Sequence, residues 1–158
     1  MDKETSLNHL IQTRDHLLGV VKEIHASQMV NRKLEGSWTG KDILGHITAW
    51  DITLLDPLNK LASGGSFVPD NIPDGELYNL QQAEMRHEQD LSEVIEEMKH
   101  VRSEILNTCE KLPDIYFERT YPAPWGGEDT LAGMLNGLAW HENEHLESIQ
   151  RLKATIDK

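Results

Sequence analysis

Three of the chain's eight histidines stand where they could share one metal ion. His141 and His145 lie four residues apart in a run of helical periodicity, which puts their Cβ atoms about 5–6 Å apart on one face. His46 takes the inward position of an earlier run, continuing a stripe of Ile43, Ile47, Trp50, Leu54 and Leu58. A buried imidazole has two nitrogens to satisfy, and leaving a buried polar group unpaired costs about 1–3 kcal/mol. A shared divalent ion takes one nitrogen from each ring and frees the other for a neighbouring acceptor. Three protein nitrogens also leave a coordination position open to water or substrate, as catalytic sites do. Such a donor set suits zinc, nickel, copper or iron. His9, His16 and His100 fall on polar faces and read as solvated.

His141-Glu142-Asn143-Glu144-His145 also spells the zincin motif H-E-x-x-H. A zincin draws its third ligand from further along the chain, and the short tail after His145 holds no histidine. A metzincin needs glycine and histidine where this chain has Ser148 and Arg151. The protease reading fails, and Glu142 becomes a side-facing residue or a support for the ligands.

The elements that must position these residues are helical. Leu7, Leu10, Ile11, Leu17, Leu18, Val21 and Ile24 form one stripe, with Arg14 projecting from its middle. Arg14 either snorkels to an edge, the favoured reading, or turns inward as a guanidinium for an anionic ligand. Residues 31–40 read as a loop. Thr39 and Asp42 then form a capping box for a second helix, which Pro57 should kink or end. After the loop 62–75, Asp74 caps a short helix from Glu76 to about Met85. Asp90 or Ser92 caps a third long helix burying Leu91, Val94, Met98, Val101, Ile105, Cys109 and Leu112. Cys109 therefore reads as core packing. The segment 114–129, rich in aromatic and turn residues, reads as a lid or packing loop rather than a strand pair. Asp129 or Thr130 caps a last helix to about Ala154. Four long helices predict an all-α four-helix bundle in one domain, 1–158. The crossover around 62–89, with its short extra helix, can run the length of the bundle and leave the second and third helices parallel.

Composition narrows the partners. With 15 Lys+Arg against 27 Asp+Glu the formal charge is −12, and no basic face is segregated, which argues against nucleic acid and anionic membrane. The single cysteine excludes an internal disulfide and a thiolate cluster. No apolar run approaches the ~18 residues of a membrane span, and the first residues carry no apolar leader, so the expected address is the cytoplasm.

At the histidines the sequence resembles a known family. Residues 36–51, GSWTGKDILGHITAWD, are similar to the W-S/T-x-K-D-x-x-x-H-x-x-x-W segment of the DinB/YfiT-like superfamily. Residues 130–149 resemble its closing H-x-x-x-H-x-x-x-I helix, and helix order and lengths agree over nearly the whole chain. The resemblance implies an up-down-down-up bundle with a divalent ion, commonly nickel or zinc, on His46, His141 and His145. Members include thiol-dependent transferases and isomerases that use mycothiol, bacillithiol or glutathione, and the ClbS/DfsB-like branch contains resistance hydrolases. The implied activity is hydrolysis or thiol transfer on a small electrophilic substrate, with a low-molecular-weight thiol as a candidate cofactor. The competing classes are a non-enzymatic binding or sequestering protein, and a stress-response homodimer whose ion only braces the bundle.

Other residues are candidates for the cavity. Trp50, four residues after His46, either sits beside the ion or packs in the core. Trp38 and Trp140 read as packing residues. If the short helix ran on unbroken, Glu84 or His87 would approach the open metal position, although the cap at Asp90 argues for a break. Tyr121 and Trp125 belong to the second of two long loops, 62–75 and 114–129, with reach enough to cover the bundle's open end.

Overall fold

The computed structural model describes residues 1–156. Four long helices, α1 (Lys3–Lys22), α3 (Gly40–Ala62), α5 (Leu91–Lys111) and α7 (Leu131–Ile156), form an up-down-down-up bundle. Short elements fill the connections: α2 (Ala26–Asn31), β1 (Lys33–Glu35), β2 (Trp38–Thr39), α4 (Gly75–Met85), α6 (Ile115–Glu118), β3 (Thr120–Pro122) and β4 (Glu128–Thr130). α1 packs chiefly on α7, and α3 on α5.

Local chemistry sets the helix starts. Asp2, Asp74 and Asp90 each accept a backbone N–H three residues on. Thr39/Asp42 and Asp90/Glu93 are reciprocal capping boxes, so Asp90 rather than Ser92 opens α5. Thr130 Oγ1 accepts from Gly133 N at 3.0 Å and caps α7.

Chain direction can be read from the core. One apolar cluster takes Leu7 and Leu10 from the start of α1, Leu54 and Leu58 from the end of α3, Ile105 from the end of α5, and Leu135 from the start of α7. The other takes Leu17, Ile43, Ile47, Met98 and Ile149 from the opposite ends. α3 and α5 thus run the same way, and the crossover that joins them carries α4.

Between the clusters lies a layer that is not apolar. Arg14, Asp51, Arg102 and Glu142, one from each long helix, are all buried. Arg14 Nη2 donates to Glu142 Oε1 at 2.8 Å and to Asp51 Oδ2 at 3.1 Å. Arg102 Nη2 donates to Glu142 Oε1 at 2.8 Å and to Asp51 Oδ2 at 2.9 Å. The Nη1 groups donate to Met98 O and Leu10 O. Two cations and two anions cancel. Arg14 therefore neither snorkels nor waits for an anion: its guanidinium is consumed by the protein's own carboxylates. Glu142 is likewise fully buried, not side-facing.

Other expectations need correction. Pro57 does not end α3, which continues to Ala62. An interior proline costs a helix about 3 kcal/mol. Burying Leu54, Leu58 and Leu61 around it is worth about 1.5–3 kcal/mol each, so packing prevails. Residues 31–40 hold a small hairpin, β1–β2, turning at Gly36 with φ 56°. The segment 114–129 contains the short helix α6 and then a strand pair too: β3 and β4 align Thr120 with Thr130 and Tyr121 with Asp129, with Gly126 and Gly127 at positive φ in the turn. Ile11 is exposed, at the edge of its stripe. His9 is half-buried, its Nδ1 2.7 Å from Asn136 Oδ1 on α7. No helix among the described residues is long and apolar enough to cross a membrane.

Candidate metal centre

Beside the charged layer, α3 presents His46 to His141 and His145 on α7, one turn apart on a single helix face. Their ring centroids are 4.7–4.8 Å apart and the rings are steeply inclined to one another. His141 Nε2 lies 2.9 Å from His46 Nε2 and 3.1 Å from His145 Nε2. Neighbouring ligands on one ion at about 2.0–2.1 Å would stand about 2.9–3.4 Å apart.

Proton placement shows why hydrogen bonds alone do not account for this cluster. Glu35 of β1 accepts from His145 Nδ1 at 2.8 Å, which fixes the proton there and turns the Nε2 lone pair inward. Burial and the neighbouring rings lower His46 to about 3, and burial and His145 lower His141 to about 4. Both are neutral near pH 7. His141 Nε2 then carries either a proton or a lone pair, so at most one of its two short contacts can be an ordinary hydrogen bond. Three inward lone pairs facing a cation remove the conflict. The donor set therefore fits a borderline divalent ion such as zinc or nickel.

The surroundings complete the site. Trp38, at the foot of β2, lies 4.7 Å from the His46 ring and shields it. His46 Nδ1 is buried without a hydrogen-bond partner among the described residues. On the other side, a cleft of about 330 Å³ opens next to His141 and is walled by Trp50, Trp125 and Trp140. Trp50 is held by a 2.8 Å bond from its Nε1 to Asn79 Oδ1 and by Tyr78, whose hydroxyl donates to Ala49 O at 2.6 Å. The α4 helix thus positions one wall of the cleft.

The structure brings His46, His141, His145, Trp50 and Trp125 to one place. It places the other candidates elsewhere. Arg14 lies in the charged layer. Tyr121 packs on Phe67 in the core, 5.1 Å between rings. Glu84 and His87 are exposed and border a separate surface hollow with Ser37 and Trp38. They miss the cleft because α4 stops at Met85 and Asp90 restarts the chain as α5. Sequence reasoning missed Glu35, Asp51 and Arg102, and took Trp38 and Trp140 for packing. The signal for Arg102 was present, since it interrupts the α5 stripe as Arg14 interrupts that of α1. Nothing local marks Glu35 as the partner of His145.

The sequence model of the DinB superfamily matches residues 9–149. No curated protein matches the sequence. Among solved structures, the mycothiol-dependent maleylpyruvate isomerase superposes with TM-score 0.79 at 11% identity, covering 94% of this chain and 61% of that one. The colibactin self-resistance protein ClbS, in a complex with double-stranded DNA, has TM-score 0.79 at 11% identity, with coverage of 96% and 94%. YfiT from Bacillus subtilis, described as a probable metal-dependent hydrolase with an unusual four-helix bundle topology, has TM-score 0.75 at 16% identity, with coverage of 98% and 87%. At these identities the likeness is one of fold.

Proposed function

This chain belongs to the DinB superfamily, and from that premise we propose that it is a metal-dependent enzyme. His46, His141 and His145 would hold one divalent ion, zinc or nickel, and the substrate would be a small electrophile lying in the tryptophan-walled cleft. The reaction is hydrolysis or transfer to a low-molecular-weight thiol; the named neighbours include a mycothiol-dependent isomerase and a probable metal-dependent hydrolase. The observation that carries this reading is the convergence of three Nε2 atoms that neutral imidazoles cannot satisfy among themselves.

The chain's own residues have separable tasks. Burial keeps His46 and His141 neutral, so their lone pairs stay available at neutral pH. Glu35 orients His145, and Trp38 keeps water from the His46 side. The charged layer holds α3 and α7 in register, which fixes the distance between His46 and His141. Bound there, the ion would polarise an electrophile or lower the pKa of water or a thiol. The cleft at His141 gives small molecules a way in, which favours chemistry over a bracing role.

Turnover of an electrophile panel, with and without added thiols, tests the reading. Activity that requires both the ion and the histidines supports it. An ion whose cobalt-substituted spectrum ignores azide, cyanide and small thiols would be closed to substrate and would contradict it. A cytoplasmic setting and a homodimer remain parts of the proposal. The net charge of −12 favours a small molecule over DNA as partner, although ClbS was captured with DNA on the same fold.

A further inference from the structure

The cleft beside His141 carries information about its ligand that the histidines do not. Along α7, Gly133, Gly137, Trp140 and His141 follow one another at helical spacing and line the same wall. The 8 residues from Gly133 to His141 span about 12 Å at a 1.5 Å rise, with the Asp129 carboxylate lying against Gly133 and the Trp125 ring against Gly137. At about 330 Å³ the cleft has room for a small ligand of about two fused rings. Its walls are the indoles of Trp50, Trp125 and Trp140, whose faces carry negative potential.

Charge narrows the choice. Among the described residues, the only ionisable side chains lining the cleft are His141 and Asp129, and no lysine or arginine lines it. Asp129 Oδ1 accepts from Thr130 N at 2.7 Å, which steadies the carboxylate at the cleft's far end from His141. The buried guanidiniums of Arg14 and Arg102 cannot serve an anion, because Asp51 and Glu142 already occupy them. We infer that the cleft binds a planar aromatic cation, such as an N-alkylated heterocycle, between its indoles with the positive charge toward Asp129, and that it rejects carboxylates and phosphates. This deepens the metal-enzyme reading by naming the substrate class, and rests on it only for which end of the ligand reacts.

Three probes of similar shape and different charge test it: N-methylquinolinium, naphthol and naphthoate, titrated calorimetrically into the full chain with and without a chelator. In the chelated protein, where no ion attracts the carboxylate, the cation binds most tightly and the carboxylate least, with about a tenfold or larger gap between them. Asp129→Asn keeps the acceptor for Thr130 N and shrinks the gap to about threefold or less. Gly137→Ala separates binding from folding. Its added Cβ would stand 3.5 Å from Trp125 Cζ2, an ordinary contact, so the helix gains stability while the cleft loses room. The melting temperature rises and N-methylquinolinium binds several-fold more weakly.

Naphthoate binding to the chelated protein as tightly as N-methylquinolinium, or no binding by any probe, overturns the inference. So does an affinity indifferent to Gly137→Ala, which would put the probe elsewhere. Because binding is read in chelated protein as well, failure of the metal reading leaves these outcomes intact, and their failure leaves the metal reading standing.

Discussion

Glu35 is the residue at which the histidine cluster can be weakened without removing a ligand. Its carboxylate holds the His145 tautomer from a hairpin strand, at 2.8 Å. Glu35→Ala should lower affinity for the divalent ion about 10–100-fold while leaving the helical spectrum unchanged. Glu35→Gln, which keeps an acceptor, should fall between; equal affinities for all three proteins would refute the role. The histidines also set a pH dependence. Their folded values, about 3 for His46 and about 4 for His141, lie below the ordinary 6.5. The unfolded chain therefore binds more protons in that window, and the stability of the metal-free protein declines as pH falls from about 6.5 toward 4. Urea midpoints of chelated protein should drop between about pH 7 and pH 5. A flat profile would mean that the rings are charged or exposed in the folded chain. Cys109, fully buried with its thiol pushed up to about 12, should resist alkylation until the protein unfolds. Rapid labelling of native protein would contradict its place in the core.

At the scale of elements, the four buried charges join helices that share no local sequence. Arg102→Met leaves Asp51 and Glu142 with a single guanidinium and should cost about 3–5 kcal/mol in urea unfolding. A loss below about 1 kcal/mol would show that water reaches the layer. This layer also marks where sequence reading stops. The stripes of α3, α5 and α7 and the Thr39/Asp42 capping box were legible because they are local patterns of three to seven residues; for the cap of α5 the sequence allows Asp90 or Ser92. Asp51 and Glu142 were not legible, because their partners lie on other helices and each alone looks like an ordinary charged residue; Arg102 interrupts its stripe, but nothing local names its partners. Arg14 was noticed and misassigned for the same reason: one helix does not reveal what faces it. The hairpins β1–β2 and β3–β4 have strands of two or three residues, too short for an alternating pattern to show. Pro57 carried a real helix-ending signal that burial of its neighbours overrides.

For the whole molecule, the histidine cluster was legible in the sequence because His46, His141 and His145 each replace an apolar residue in a stripe. The cleft was legible in part: Trp50 and Trp125 read as candidates for it, while Trp140 reads as packing, because its walls come from α3, the β3–β4 hairpin and α7 and no single helix shows them together. Topology ties the two together. Running α3 and α5 in parallel, with α4 in the crossover, brings Asn79 and Tyr78 against Trp50 and leaves the His141 side open. The most direct test of the account is metal stoichiometry of tag-free protein, reloaded after chelation, beside a variant lacking His46, His141 and His145. The account predicts one divalent ion per chain, a higher melting temperature when loaded, and no tight binding by the triple variant. Full occupancy in that variant, or none in the natural chain, would contradict it.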